Sequence, residues 1–162
     1  AIALALASER PDCLVTAVDF MPDAAALAAR NAAHLAIDNV TVLQSDWFSA
    51  LSGQSFAMIV SNPPYIDEAD PHLAEGDVRF EPKTALVAAD QGLADLAHII
   101  REGRQFLLPG GYLLLEHGWK QGEAVRGLFN DAGYRDIATC RDYGNNERLT
   151  LGRWPHKEQA GE

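Results

Sequence analysis

Phe56-Ala57-Met58-Ile59-Val60-Ser61-Asn62-Pro63-Pro64-Tyr65 is the stretch on which the reading of this chain turns. Phe56 to Val60 is a short apolar, β-rich run, the pattern of a buried strand. It runs straight into Asn62 and two prolines. Proline fixes its own φ and restricts the residue before it. Neither Pro63 nor Pro64 has an N–H, so the backbone here offers acceptors and few donors. The Asn62 side-chain carbonyl and the Pro63 backbone carbonyl make a fixed array of two acceptors. Two acceptors suit an NH2 group, because they grip both hydrogens and aim the nitrogen at an electrophile. Tyr65 can stack on the flat group that carries that nitrogen. The plainer alternative is a rigid Pro-Pro turn with Asn62 as its turn former.

Outward from this segment, strands alternate with helices. Residues 1–9 read as an apolar helix, 14–18 as a strand ending at Asp19, and 22–36 as a helix opened by Pro22 and Asp23. Residues 40–43 are the next strand. Residues 66–90 read as irregular and longer than an ordinary connection. A helix is expected at about 92–107, a turn at Pro109-Gly110-Gly111, a strand at 112–117 and a helix at about 120–132. Strands at about 135–141 and 148–153 are joined by Asp142-Tyr143-Gly144-Asn145-Asn146, an antiparallel hairpin. This order predicts an α/β fold with a mainly parallel sheet covered on both faces. The domain is expected over 1–154, with a disordered polar tail over 155–162.

In such folds ligands bind beyond the carboxyl ends of the strands. Asp19, Asp46-Trp47, Asn62 to Tyr65 and Glu116-His117 all fall there. Asp19 reads either as a helix-capping aspartate or as an acceptor for both hydroxyls of a ribose. Trp47 alone reads as core. Beside Asp46 it could instead hold an adenine, the indole by stacking and the carboxylate by hydrogen bonding. Together the two positions are spaced as a nucleoside pocket across neighbouring strands.

A nucleoside pocket beside an NH2-gripping array points to methyl transfer from S-adenosylmethionine to a planar amide or amino nitrogen. A sulfonium methyl is already a strong electrophile, so the protein's contribution is alignment and exclusion of water. Orientation of this kind is worth up to ~7–11 kcal/mol. Hydrogen bonds to the NH2 protons favour the positive charge that develops on nitrogen. No general base stands out. Glu116 and His117 are weaker candidates, explained as well by packing or a hydrogen-bonded rim. Arg79-Phe80-Glu81-Pro82 either lines a substrate entrance or orders its own loop. His34, His72, His98 and His156 read as surface histidines.

Composition narrows the field. The chain has 162 residues, one ordinary domain, and 48% are hydrophobic, enough for a real core. The net charge of −10 speaks against non-specific binding to duplex nucleic acid. Two unpaired cysteines, Cys13 and Cys140, fit a reducing cytoplasm, and scattered histidines argue against a metal site. No apolar stretch approaches a bilayer span.

The segments Val60-Ser61-Asn62-Pro63-Pro64-Tyr65-Ile66, Arg79-Phe80-Glu81-Pro82, Leu86-Val87-Ala88, Leu114-Leu115-Glu116-His117-Gly118 and Arg141-Asp142-Tyr143-Gly144 together resemble the release-factor glutamine methyltransferases (HemK/PrmC). The resemblance covers residues 1–154. The tetrapeptide at 62–65 is shared with adenine-N6 DNA methyltransferases; the later segments are not. The resemblance implies a class I, Rossmann-like methyltransferase fold. It also implies methyl transfer from S-adenosylmethionine to N5 of the glutamine in the Gly-Gly-Gln motif of class I peptide release factors. It assigns Asp19 and Trp47 to S-adenosylmethionine, Asn62 to both ligands, and Pro63, Pro64 and Tyr65 to the glutamine. A Gly-x-Gly-x-Gly loop, the first strand and an N-terminal docking domain have no counterpart in this sequence. Asp46 and the other pocket residues are therefore expected without one wall of the cofactor site. The expectation for the isolated chain is marginal stability, self-association and weak cofactor binding. The competing readings are a DNA adenine methyltransferase acting on a flipped base and an inactive fragment.

Overall fold

A computed structural model describes residues 1–67, 87–88 and 92–156. Its contacts divide the chain into two units, Ala1–Gln54 and Ser55–Glu162.

In the first unit, helix α1 (Ile2–Glu9) leads into strand β1 (Val15–Asp19), helix α2 (Pro22–His34) and strand β2 (Val40–Gln44). β1 and β2 are parallel, with Val15 opposite Val40 and Asp19 opposite Gln44. Parallel neighbours need a crossover, and α2 supplies it. α2 stops short of the expected residue 36, because Ala36 takes a left-handed φ of 55° and the Ile37 N–H turns back to the Ala32 carbonyl at 2.9 Å. Asn39 secures the far end of the unit. Its side-chain amide lies 2.8–3.1 Å from the carbonyls of Ala7, Arg10 and Cys13, and its own carbonyl accepts the Val15 N–H.

In the second unit, strand β3 (Phe56–Ser61) precedes the 62–65 segment. Two-residue strands β4 (Ile66–Asp67) and β5 (Val87–Ala88) pair in parallel. The irregular stretch expected over 66–90 therefore begins and nearly ends in a short ladder, too brief to leave a periodic signal. Helix α3 (Ala94–Gly103), strand β6 (Leu107–Glu116), helix α4 (Gly122–Asp131) and strands β7 (Arg135–Arg141) and β8 (Glu147–Arg153) follow. The sheet order is β3-β6-β8-β7, parallel between β3 and β6 and antiparallel elsewhere, with the expected terminal hairpin. Among the described residues, β1 pairs only with β2, and β3 only with β6.

The turn expected at 109–111 lies inside a strand instead. The register with β3 jumps from Phe56–Leu107 to Met58–Tyr112, so β6 carries three residues more than its partner and bulges. Gly110 accommodates the bulge with φ 83° and donates its N–H to the Trp154 carbonyl at 2.7 Å. The Trp154 N–H returns to the Gly111 carbonyl, also at 2.7 Å.

The core of this unit joins Leu96, Ile99 and Ile100 of α3, Leu113 and Leu115 of β6, and Val125 and Phe129 of α4, all essentially fully buried. Each such side chain is worth about 1.5–3 kcal/mol of burial. Tyr134 packs edge-on against Phe129 and donates its hydroxyl to the Ile100 carbonyl at 2.8 Å. His34 and His156 are exposed as expected, but His98 is half-buried in α3. His72, the 79–82 segment, Leu86 and residues 157–162 lie outside the described residues.

Candidate functional site

Each unit presents candidate residues at the carboxyl ends of parallel strands. In the first, Asp19 ends β1 and is exposed. One of its carboxylate oxygens accepts the Met21 N–H at 2.9 Å, which sets the turn into α2. Asp19 does not cap α2 itself, whose N-cap is Met21, but orders the turn before it and remains exposed to solvent. Asp46 is exposed and Trp47 half-buried just beyond β2. Trp47 has φ 50°, a left-handed conformation that a bulky side chain adopts only when its surroundings enforce it. Ser45, which the sequence reading passed over, supplies the enforcement. Its buried hydroxyl donates to the Trp47 carbonyl at 2.7 Å and accepts the Ala50 N–H at 3.0 Å. Because β1 and β2 are neighbours in register, the Asp19 carboxylate and the Asp46-Trp47 pair share one edge of one ladder. An exposed carboxylate beside a carboxylate-indole pair fits the hydroxyls and base of a nucleoside.

In the second unit, Ser61 stands opposite Leu115, so Asn62 leaves β3 where Glu116 ends β6. Asn62 is exposed, Pro63 buried, and Pro64 and Tyr65 half-buried. The Tyr65 hydroxyl donates to Glu116 Oε1 at 3.0 Å. Burial first, and then the Glu116 charge, push the Tyr65 phenol above its ordinary pKa, so it stays a protonated donor. The Tyr65 carbonyl accepts a hydrogen bond from Gln121 Nε2 at 2.9 Å. Gly92, with φ 79°, passes directly against that carbonyl, where any β-carbon would collide with it. Sequence alone makes Glu116 a weaker candidate that packing or a rim explains as well; its bond to Tyr65 gives it a definite task. Gln121 and Gly92 were not singled out at all. Their signal is a contact between segments distant in sequence, which spacing does not reveal.

His117, the other weak candidate, is fully buried. Its Nδ1 lies 2.8 Å from the Gly118 carbonyl and its Nε2 2.8 Å from Thr150 Oγ1. A carbonyl only accepts, so Nδ1 carries the proton. Burial lowers the His117 pKa and keeps the ring neutral, which leaves Nε2 to accept from the Thr150 hydroxyl. Thr139 then donates to Thr150 at 2.9 Å, and Arg126 donates to Thr139 at 3.0 Å while facing Glu147 at 3.2 Å. This network turns inward and braces the end of β6. Among the described residues, no group of histidine, cysteine and carboxylate side chains could hold a metal ion, and no helix is long and apolar enough to cross a membrane.

Residues 1–77 match the family described as Methyltransferase small domain. The chain is 73% identical, over 95% of its length, to the release factor glutamine methyltransferase of Escherichia coli K12, and covers 56% of that protein. The corresponding protein of Pseudomonas aeruginosa PAO1 is 58% identical over 92% of the chain, which covers 54% of it. Among solved structures, a methyltransferase from Pyrococcus furiosus superposes with a TM-score of 0.69 at 18% identity, covering 93% of this chain and 68% of that one. The α/β architecture is that of class I methyltransferases. The chain spans about half the length of the curated relatives it matches. Over nearly its whole length the chain is thus similar in sequence to the release factor glutamine methyltransferases.

Proposed function

We infer that the protein transfers a methyl group from S-adenosylmethionine to the side-chain amide nitrogen of the glutamine in the Gly-Gly-Gln motif of class I release factors. The observation that carries this reading is the Asn62-Pro63-Pro64-Tyr65 segment, donor-poor and braced at the mouth of the β3–β6 ladder by Glu116 and Gln121. The high identity to release factor glutamine methyltransferases supports the choice of acceptor.

Asn62 Oδ1 and the Pro63 carbonyl take the two amide hydrogens, which orients the nitrogen lone pair and stabilises the charge that develops on it. Tyr65, its hydroxyl tied to Glu116, keeps its ring at a fixed angle against the planar amide. Pro63 and Pro64 hold this array without rearrangement. Asp19 receives the ribose hydroxyls of the cofactor, and Asp46 and Trp47 its adenine. When bound, the cofactor supplies an electrophilic methyl on sulfonium sulfur. The chain's own work is binding, orientation and exclusion of water.

The protein works in the cytoplasm, consistent with its free cysteines. Duplex nucleic acid is not its acceptor, given a net charge of −10. The test offers purified release factor and adenine-containing duplex DNA together with methyl-labelled cofactor to the protein at the length of its curated relatives. Label on the release factor alone is the expected result. Label on adenine would overturn the reading in favour of the DNA enzyme.

A further inference from the structure

The Tyr65 carbonyl is held from outside its own segment, and the holder is a residue with two opposed hydrogen-bonding ends. Gln121 donates from Nε2 to the Tyr65 carbonyl at 2.9 Å, while its Oε1 accepts the Gly118 N–H at 2.8 Å. Its backbone N–H donates to the Gly118 carbonyl at 3.0 Å, and its own carbonyl accepts the Val125 N–H at 2.9 Å. Gln121 thus closes the turn after β6, starts α4, and reaches across to the acceptor segment. Gly92 lies against the same contact, where an added β-carbon would collide with both the Tyr65 carbonyl and the Gln121 amide nitrogen.

The chemistry of the position is narrow. It needs one acceptor and one donor on the same planar head, at the reach of a glutamine. A glutamate offers acceptors only, a lysine donors only, and an asparagine is one carbon short. Flipping the amide would set a donor against the Gly118 N–H and an acceptor against the Tyr65 carbonyl, so both contacts fix one orientation. The segment 62–65 has lost two backbone donors to proline and cannot anchor itself through them. Beside the Tyr65 hydroxyl bond to Glu116, an external donor to its last carbonyl is what fixes the backbone of the segment.

We propose that Gln121 is a positioning residue for methyl transfer: through the Tyr65 carbonyl it sets where Asn62 and Pro63 present their acceptor oxygens. This rests on the acceptor reading given above. Gln121 acts through Tyr65 and not on substrate.

The discriminating variant is Gln121→Glu. It keeps the contact to the Gly118 N–H but replaces the donor to the Tyr65 carbonyl with a carboxylate oxygen, which repels it. Protonating that carboxyl restores a donor. The titratable and charged groups around it are Tyr65, Glu116 and His117 on the segments it touches, and Lys120, Glu123, Arg126 and Glu147 at and beside the start of α4. The Tyr65 phenol is shifted up and the His117 ring down, and all of these groups are common to both proteins, so their effects cancel in a ratio. Turnover of Q121E relative to the parent should therefore be low, by about ten- to a hundredfold, at neutral pH. It should climb as pH falls through the carboxyl range near ~4–6. Gln121→Met, which has no donor at any pH, should give a low and flat ratio.

A second readout needs no acceptor. With Tyr65 labelled at its carbonyl carbon, the NMR shift should move in Q121M at every pH, and in Q121E should return toward the parent value as pH falls. A flat Q121E ratio, or a Tyr65 carbonyl shift indifferent to both substitutions, would overturn the proposal. If the parent protein transfers no methyl to release factor, the proposed function fails, and the carbonyl shift still decides the role of Gln121.

Discussion

Replacing Thr150 by valine removes one oxygen from the brace behind the acceptor segment and changes almost nothing else in shape. Thr150 is fully buried and its hydroxyl joins two others: it donates to His117 Nε2 at 2.8 Å and accepts from Thr139 at 2.9 Å. In Thr150→Val both bonds vanish. Thr139 keeps Arg126 at 3.0 Å and is half-buried, so its loss is near the ordinary net value of about 1 kcal/mol. His117 Nε2 has no such recourse. It becomes a buried acceptor without a partner, which costs about 1–3 kcal/mol. The expected destabilisation is about 2–4 kcal/mol. Urea unfolding, followed by tryptophan fluorescence, measures it as a shift in midpoint at constant slope. Thr150→Ser is the control. It keeps the hydroxyl and loses one buried methyl, so it should cost only about 1 kcal/mol. A valine variant within about 0.5 kcal/mol of the parent, or one no worse than the serine variant, would refute the donor chain drawn here.

Asn62→Ala should cut turnover at least about a hundredfold while leaving the unfolding midpoint unchanged, since the Asn62 side chain is exposed; steady-state kinetics beside urea unfolding checks both halves. Tyr65→Phe frees Glu116 and loosens the ring, and should lower turnover by about three- to tenfold, consistent with one hydrogen bond of about 1 kcal/mol. Acid should weaken the fold through His117. Its folded pKa lies below the ordinary 6.5, so below that pH the unfolded chain binds the extra proton and the folded chain does not. Stability is therefore intact above about pH 6.5 and falls, by at most about 1.4 kcal/mol per pH unit from this group, as the pH drops toward the folded pKa. A stability-pH curve whose slope over that window is unchanged by His117→Gln would contradict this.

The strand-helix alternation was legible because β1, β2 and β3 are short apolar runs ending in Asp19, Gln44 and Ser61, where periodicity and polarity change together. The 62–65 segment was legible because two adjacent prolines after a short apolar strand leave few conformations, although that strand, expected to be buried, is only half-buried or exposed. Two local readings failed for a shared reason. Pro109-Gly110-Gly111 has turn composition, yet pairing with Trp154 on one side and the displaced register with β3 on the other keep it within β6. The β4–β5 ladder joins residues about twenty positions apart and is only two residues deep. Both depend on partners remote in sequence. The same holds for the brace of the candidate site. Gln121 sits in a turn after Gly118 and looks like a helix start. Only its contact with Tyr65, 56 positions away, gives it a role. Ser45 and Thr150 are ordinary strand-end and strand residues until burial makes their hydroxyls count.

The central claim is that the acceptor array grips a glutamine side-chain amide, and the position of the transferred methyl group tests it most directly. Release factor is incubated with cofactor and the protein at the length of its curated relatives, then digested and sequenced by tandem mass spectrometry. The account predicts a single methyl group on the side-chain nitrogen of the Gly-Gly-Gln glutamine, absent when Asn62→Ala replaces the parent. Methyl on any other residue, or unchanged methylation by the Asn62 variant, would contradict it.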